Sequence, residues 1–218
     1  MPITELRGNL FNSKAQTLVN TVNCVGVMGK GVALEFRRRF PEMFNIYRKV
    51  CEDRKLHPGQ ICPYRARQPW ILNLAVKDHW RYPSRLEWVE QCLMRFVGHH
   101  RRLGITSVAF PWIGAMNGGL PWEEVHDLMR NYLDLLQDID IEIIEFDPDT
   151  PDPLFVRLQQ LAQTQNASVF ARQVGIAQRP ADLICRATNE AKVPSLTRLC
   201  ELPGLDKATV ERLYAHFR

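Results

Sequence analysis

The sequence has no run of about 18 or more apolar residues, the length that a membrane-spanning helix needs, and no signal-peptide pattern at its start. Its six cysteines include no C-x-x-C pair, which argues against a zinc site and against a redox motif. It contains neither G-x-G-x-x-G nor the Walker lysine loop, the two commonest nucleotide-binding motifs. These absences predict a cytoplasmic protein with free thiols, no membrane segment, no metal and no cofactor.

Charge of either sign is not in large excess. The 218 residues carry a net charge of +4, with 45% hydrophobic and 24% charged residues, a composition typical of proteins that bury an ordinary core. Residues 151–218 hold nine lysines and arginines against six aspartates and glutamates, so most of the basic bias lies in this part of the chain. A bias of this size is a weak indication of an acidic partner.

Apolar strands and amphipathic helices alternate along the first two thirds of the chain. Strands are predicted at 3–6, 17–19, 70–76, 106–111 and 139–146, and helices at 31–39, from 41, at 85–102 and from 121. This alternation is typical of an α/β domain with a largely parallel or mixed sheet. A proline-rich segment, 147–153, predicts a boundary between a domain at 1–149 and a small helical C-terminal region at 150–218. In that region a helix at 154–165 and two or three further short helices are expected.

The stretch from Leu18 to Arg38 places a glycine-rich turn between a strand and a helix. Such a turn aims backbone N–H groups and a helix dipole at a phosphate, although the same composition also forms ordinary loops. Asn20 and Asn23 stand where the strand would end. Each offers a donor and an acceptor, which suits ribose hydroxyls, and the alternative is that they only cap the turn.

Two more motifs follow predicted strands. Lys77 comes directly after the strand at 70–76, a position where most lysines are simply solvated, and Trp80 follows among basic residues. Trp80 could stack a nucleobase or only pack over the loop. A second glycine-rich segment, WIGAMNGGLPW at 112–122, follows the strand at 106–111. Because ligand loops in such sheets lie at the carboxyl ends of strands, all three motifs are expected at one edge.

The stretch VNTVNCVGVMGKGVA, residues 19–33, closely resembles the first ligand loop of macrodomains, which are ADP-ribose-binding modules. It is most similar to the DarG-type branch, antitoxins that remove ADP-ribose from DNA. The resemblance runs from about Ile3 to about Phe146. It implies a three-layer α/β/α domain with a mixed sheet, followed here by the small helical C-terminal region.

The resemblance also implies roles for particular residues. Lys77 matches the catalytic lysine, which would either add to C1″ of the distal ribose or protonate the leaving base. Asn23 would assist at the distal ribose and is taken as catalytic with Lys77. The substrate-binding residues would be Asn20, Val25, Gly26, Met28, Gly29, Lys30, Gly31, Val32, Trp80, Ile113, Gly114, Ala115, Met116, Asn117, Gly118 and Gly119.

Three positions depart from other macrodomain hydrolases. Met116 replaces the second glycine of the usual Gly-x-Gly in the second loop and could reshape the pocket. Gly118 stands where glutamate-linked hydrolases carry an aspartate, which favours the DNA-directed branch. Lys30 lies where other hydrolases place an aspartate in the first loop. Cys24 has no histidine or acid placed to activate it, so it is not expected to be a nucleophile.

The predicted function is hydrolysis of ADP-ribose from a nucleobase in DNA, which would reverse a toxin ADP-ribosyltransferase. The alternatives are a module that binds ADP-ribose without cleaving it and a hydrolase of ADP-ribosylated protein carboxylates. The expected partners are ADP-ribosylated DNA and a cognate transferase, and the protein is expected to be a monomer. Residues 199–213 faintly resemble a helix–hairpin–helix, with Asp206 at its second glycine, and a plain helical turn is the alternative.

Overall fold

Six strands form one sheet in the computed structural model, which describes residues 3–114 and 116–218. The strands are β1 (Thr4–Gly8), β2 (Thr17–Val22), β3 (Ile61–Tyr64), β4 (Trp70–Ala75), β5 (Ser107–Pro111) and β6 (Asp140–Phe146). Their order across the sheet is β1-β6-β5-β2-β4-β3. All neighbours pair in parallel except β3 and β4, which are antiparallel, so the sheet is mixed.

Helices cover both faces of the sheet because the strand residues alternate between two cores. Leu18 and Val22 face one core with α1 (Gly31–Arg39) and α2 (Pro41–Glu52). Val19, with Leu72 and Leu74 of β4, faces the other core with α3 (Leu86–Leu103) and α4 (Trp122–Leu133). The predicted three-layer α/β/α arrangement with a mixed sheet is therefore confirmed.

Strand β3 was not predicted from the sequence. It has only four residues and contains Pro63, which cannot donate a ladder hydrogen bond. β3 lies at the edge of the sheet, where a proline is tolerated. Gly104 is the C-cap of α3, with the positive φ of 72° that glycine adopts most readily.

The chain divides into two compact units, Met1–Phe146 and Asp147–Arg218. The second unit contains α5 (Pro153–Thr164), α6 (Ala167–Val174), α7 (Gln178–Asn189), α8 (Leu196–Cys200) and α9 (Lys207–Phe217). Four helices thus follow α5, where two or three were expected. These helices bury an apolar cluster of their own, which includes Phe155, Phe170 and Leu199.

Asp206 is the N-cap of α9, and its carboxylate accepts a hydrogen bond from the backbone N–H of Thr209 at 2.7 Å. Hydrogen bonding from the side chain of Thr209, together with this backbone N–H, lowers the pKa of Asp206. In a helix–hairpin–helix the same helix end would face a DNA phosphate, and here a carboxylate of the protein already occupies it. The N-cap role of Asp206 therefore favours a plain helical turn over a helix–hairpin–helix at residues 199–213.

None of the helices in the described part of the chain has the length and apolar content that crossing a membrane takes.

We predict that residues 1–149 fold without the rest of the chain, because the sheet ends at Phe146 and both of its cores lie upstream. Truncation after Asp149 should change the midpoint of thermal unfolding of residues 1–149 by less than about 4 °C. A change of ~1 kcal/mol in the free energy of unfolding would produce a shift of that size in a domain of this length. Circular dichroism melting of the fragment and of the full chain measures it. A fragment without a cooperative transition would show that the two units fold as one.

Candidate functional site

Three segments meet at the carboxyl edge of the sheet, because β2, β4 and β5 are parallel neighbours. They are loop 1 (23–30, between β2 and α1), the β4–α3 segment (76–85) and loop 2 (112–121, between β5 and α4). The backbone N–H groups of Val76 and Lys77 both point at the carbonyl of Val22, at 3.1 and 3.3 Å. Cys24 in turn donates its N–H to the carbonyl of Asp78 at 3.0 Å. The lysine thus lies directly beside the start of loop 1.

The side chain of Asn23 folds loop 1. Its Oδ1 accepts hydrogen bonds from the backbone N–H groups of Val25 and Val27, at 3.0 and 3.3 Å. Its Nδ2 donates to the carbonyl of Val27 at 2.6 Å, and the Tyr47 hydroxyl donates to the carbonyl of Asn23 at 2.7 Å. These bonds give the amide a structural role. Its role at the distal ribose stays a prediction.

Asn20 lies beneath loop 1 and has no exposed surface. Its Nδ2 donates to Oδ1 of Asn73 at 2.8 Å, and Asn73 donates to the carbonyl of Cys62 at 3.1 Å, so the amides link three strands. The same Nδ2 lies 3.9 Å from Sδ of Met28, which is also buried. Within the described residues, Oδ1 of Asn20 has no hydrogen-bond partner. A contact of Asn20 or Met28 with a ligand stays a prediction.

The exposed part of loop 1 leads into the N-terminus of α1. Lys30 is the N-cap of this helix and its side chain makes no capping hydrogen bond, and the first turn carries no acidic residue. The first N–H groups of a helix have no partner within the helix and attract anions. Gly31 adopts a φ of 56° at this point. Of the other predicted residues, Val25 and Gly29 are exposed, Val32 is half-buried and Gly26 is buried.

Lys77 joins loop 1 to loop 2. Its Nζ donates a hydrogen bond to the backbone carbonyl of Asn117 at 2.6 Å, and the side chain is half-buried. Burial lowers the pKa of Lys77, because desolvation disfavours the charged ammonium. Neither Lys30 nor an arginine contributes to this lowering of the pKa. In the described residues, no carboxylate forms an ion pair with Lys77.

Loop 2 is a tight turn closed by two glycines. A Cβ on Gly118 would lie 2.1 Å from the carbonyl oxygen of Gly114, so no other residue fits there without moving the loop. That carbonyl accepts the N–H of Leu120 at 3.0 Å. The Asn117 amide approaches the backbone of Gly31, where an added Cβ would come within 2.5 Å of its Nδ2. Loop 2 therefore lies against the N-terminus of α1, and we call the surface shared by loop 1, Lys77 and loop 2 the cleft.

The other predicted residues of loop 2 differ in exposure. Ile113 is buried and Gly119 is exposed with a φ of 74°. The side chain of Met116 is 69% exposed, so Met116 is not packed into the protein. Ala115 lies outside the described residues. Trp80, in the β4–α3 segment, is exposed rather than packed away.

Burial raises the pKa of Cys24 to about 12, with smaller contributions from Cys51 and Asp78. The thiol therefore stays protonated at neutral pH and is a poor nucleophile, as expected. All six cysteines are free. In residues 3–114 and 116–218, no group of three or more His, Cys, Asp or Glu side chains is placed to hold a metal ion.

Two supporting residues were missed in the sequence analysis. Asn73 interrupts the apolar run WILNLAV, and a polar residue inside a buried strand indicates a buried partner, here Asn20. Tyr47 lies on the buried face of α2, and its hydroxyl also reaches loop 1. No local pattern marks that contact, because the two residues are 24 positions apart.

The chain is similar to known proteins in sequence and in fold. Residues 19–129 match the family model of the Macro domain. The chain is 44% identical over 144 residues to the DNA ADP-ribosyl glycohydrolase of Thermus aquaticus, covering 64% of this chain and 40% of the relative. It is 42% identical over 145 residues to that of Mycobacterium tuberculosis, covering 65% and 41%. This chain thus spans about two fifths of the length of these curated relatives.

Solved structures show the same likeness. The macrodomain of Mycobacterium tuberculosis DarG superposes with a TM-score of 0.63 at 41% identity, covering 66% of this chain and 97% of that one. The macrodomain of Thermus aquaticus DarG gives a TM-score of 0.62 at 43% identity, covering 67% of this chain and 99% of that one. Thermosipho africanus DarTG in complex with ADP-ribose gives a TM-score of 0.61 at 33% identity, covering 63% of this chain and 40% of that one.

Replacing Gly118 should disable the site without unfolding the protein. We expect Gly118→Ala to lower ADP-ribose affinity at least tenfold, because the new Cβ displaces the Gly114 carbonyl and with it loop 2. Calorimetric titration with ADP-ribose measures this. Gly98→Ala on α3 is the matched control, since nothing lies within 4 Å of its Cβ position. That control should keep affinity and raise stability by roughly 0.5–1 kcal/mol. Unchanged affinity of Gly118→Ala would contradict the assigned loop geometry.

Asn23→Ala should weaken the binding of ADP-ribose and of adenosine diphosphate by similar factors, because the amide holds loop 1 through three backbone contacts. Loss of such hydrogen bonds typically costs ~0.5–1.5 kcal/mol each. Titration of each ligand into the variant tests this. A loss confined to ADP-ribose, or to turnover, would instead place the amide at the distal ribose.

Proposed function

Because this chain belongs to the Macro domain family, we propose that residues 1–149 form an ADP-ribosyl hydrolase that removes ADP-ribose from a nucleobase in DNA. The observation that carries the proposal is the position of Lys77, a half-buried amine between the two ligand loops and without an ion-pair partner in the described residues. The names of relatives at 42–44% identity, DNA ADP-ribosyl glycohydrolases, support it.

The cleft offers separate positions for the parts of ADP-ribose. The uncapped N-terminus of α1 and the glycines of loop 2 present backbone N–H groups to the diphosphate. The distal ribose would then lie beside the start of loop 1, with its C1″ toward Lys77. Neither position requires a metal ion or a cofactor, so we include none in the reaction.

Lys77 can act in two ways. As a nucleophile, the neutral amine forms a bond to C1″ while the bond from C1″ to the base breaks, and water later releases the ribose from Nζ. As a general acid, the ammonium gives its proton to the departing base while water attacks C1″. A lowered pKa suits both roles, because it makes the free amine accessible and the ammonium a stronger acid.

Two alternatives use the same cleft. A module that only binds ADP-ribose would not need a half-buried lysine without a carboxylate partner. A hydrolase of protein carboxylates of the glutamate-linked type would carry an aspartate at position 118. The close approach of Gly118 to Gly114 leaves no space for that side chain, which favours DNA as the substrate.

The wider setting is also a proposal. One relative, from Thermosipho africanus, is named as a fusion of a DNA ADP-ribosyl transferase with a DNA ADP-ribosyl glycohydrolase, and it is 32% identical over 151 residues. By analogy, we infer that a cognate transferase toxin is the partner whose product this chain removes. We further infer a cytoplasmic monomer, and a role for residues 150–218 in binding either DNA or the transferase.

Lys77→Ala should abolish release of ADP-ribose from ADP-ribosylated DNA while leaving ADP-ribose affinity within about tenfold, or ~1.4 kcal/mol. The amine contributes one hydrogen bond to loop 2, so its loss should not dismantle the cleft. The assay follows free ADP-ribose from modified DNA and from modified protein. Lys49→Ala is the control, since this lysine is exposed and paired with Asp53. Release from protein but not from DNA would overturn the proposed substrate.

The pH dependence of turnover separates the two roles of Lys77. Its pKa lies below the ordinary lysine value of ~10.4. If the free amine attacks C1″, the rate should rise with pH through this lowered pKa, because deprotonation creates the nucleophile. If the ammonium is the acid, the rate should fall through the same pKa. If the rate does not change through this pKa and the Lys77→Ala variant is active, the lysine takes no part in the reaction.

A further inference from the structure

An exposed aromatic cluster follows Lys77 in the β4–α3 segment. Trp80 and Tyr82 are 47% and 63% exposed. The His79 ring stacks on Trp80, with ring centroids 5.4 Å apart, and lies 5.7 Å from the Tyr82 ring. Aromatic side chains normally bury most of their area, and a contiguous exposed group of them marks a binding surface.

The segment that carries these rings is tied to both ligand loops. At one end Cys24 of loop 1 donates its N–H to the carbonyl of Asp78 at 3.0 Å. At the other end Ser84 donates its N–H to the carbonyl of Gly118 in loop 2 at 2.9 Å. The aromatic cluster is therefore held in position relative to the cleft, and a prearranged surface loses less entropy on binding.

Within the segment, a tight turn sets the direction of the side chains. The Tyr82 N–H donates to the carbonyl of His79 at 3.2 Å, and the Arg81 N–H points at Nδ1 of His79 at the same distance. His79 thus orients the turn as well as contacting both exposed rings.

The charge beside these rings suits a phosphate. The guanidinium of Arg81 lies 4.8 Å from the centroid of the Trp80 ring and is exposed, with no ion pair to it among the described residues. Residues 77–85 contain one lysine and two arginines against one aspartate. Exposed rings alternating with arginine are the arrangement that proteins use for unpaired nucleic-acid strands, where rings stack bases and cations hold the backbone.

We propose that residues 79–82 form a second subsite, which stacks an unpaired nucleobase next to the modified nucleotide while Arg81 holds the intervening phosphate. The proposal rests on the proposed function of the Lys77 cleft and extends it from the modified nucleotide to its neighbour. The rings begin two positions after Lys77, so a strand whose modified base reaches the amine also reaches them. A protein partner is the less suitable occupant, because nothing in the cluster selects a peptide.

The test uses the full chain and three substrates: an ADP-ribosylated mononucleotide, an ADP-ribosylated single-stranded oligonucleotide, and the same oligonucleotide with abasic neighbours. We expect Trp80→Ala and Tyr82→Ala to raise KM on the normal oligonucleotide by roughly 5- to 150-fold, the range for stacking of one base. Tyr82→Ala should leave KM on the mononucleotide and on the abasic oligonucleotide unchanged. Trp80→Phe, which keeps a ring, should restore most of the affinity.

Two control variants are matched to the cluster. Leu135→Ala removes an equally exposed apolar side chain elsewhere, and Arg65→Ala removes an arginine that lies over Trp70 at the opposite end of β4. Both should leave KM on every substrate unchanged. Arg81→Ala should raise KM on both oligonucleotides. In this variant, log KM should also depend less steeply on the logarithm of the salt concentration than it does in the parent protein.

Binding of an unmodified single-stranded oligonucleotide, followed by fluorescence anisotropy, separates this proposal from the proposed function. If the parent protein hydrolyses nothing, yet Tyr82→Ala weakens this binding, the subsite stands and the hydrolase fails. If hydrolysis proceeds and the aromatic variants bind the oligonucleotide normally, the subsite is overturned. Equal KM changes on mononucleotide and oligonucleotide would also overturn it, since the rings would then only support the loops. Circular dichroism of each variant checks that it is folded.

Discussion

The parallel pairing of β2 with β4 is the constraint on which the candidate site depends. Asn20 lies opposite Asn73 in this register, and the pairing continues past both strands, where the Val22 carbonyl accepts the N–H of Lys77. Because side chains alternate between the faces of a sheet, a slip of one residue would turn the lysine away from the cleft. The buried amide pair favours the observed register, since any other register would leave more buried polar groups without partners.

The chemistry of Lys77 follows from what surrounds its amine. A half-buried lysine beside a carboxylate would keep its proton, because the ion pair stabilises the charge. Here the partner of Nζ is the neutral carbonyl of Asn117. That carbonyl owes its position to the tight turn that Gly118 permits. The backbone of loop 2 and the properties of the amine are thus parts of one arrangement, and a side chain at position 118 would disturb both.

Much of the fold could be predicted from the sequence, and the exceptions have physical reasons. The apolar run at 70–76 and the glycine at 104 carry strong local signals, and the structure agrees with both. Strand β3 carries little signal, because an edge strand of four residues with a proline resembles a loop. The boundary of the independently folding region stays a prediction.

The candidate site was harder to predict, because its residues belong to different segments. The sequence placed Asn20 at the ligand, yet it shares a face of β2 with Leu18 and Val22, and that alternation already indicated burial. The link between Lys77 and Asn117 spans 40 positions, and no local pattern indicates it. The position of an exposed side chain such as Met116 is also hard to predict, because no packing contact fixes it.

A crystal structure with ADP-ribose bound tests the central claim most directly, namely that loop 1, Lys77 and loop 2 form one ADP-ribose site. We expect the diphosphate at the N-terminus of α1, within hydrogen-bond distance, ~3 Å, of backbone N–H groups of loop 2. C1″ of the distal ribose should point at Nζ of Lys77. A ligand in the cleft whose distal ribose lies on the far side from Lys77, or a ligand bound elsewhere on the chain, would contradict the account.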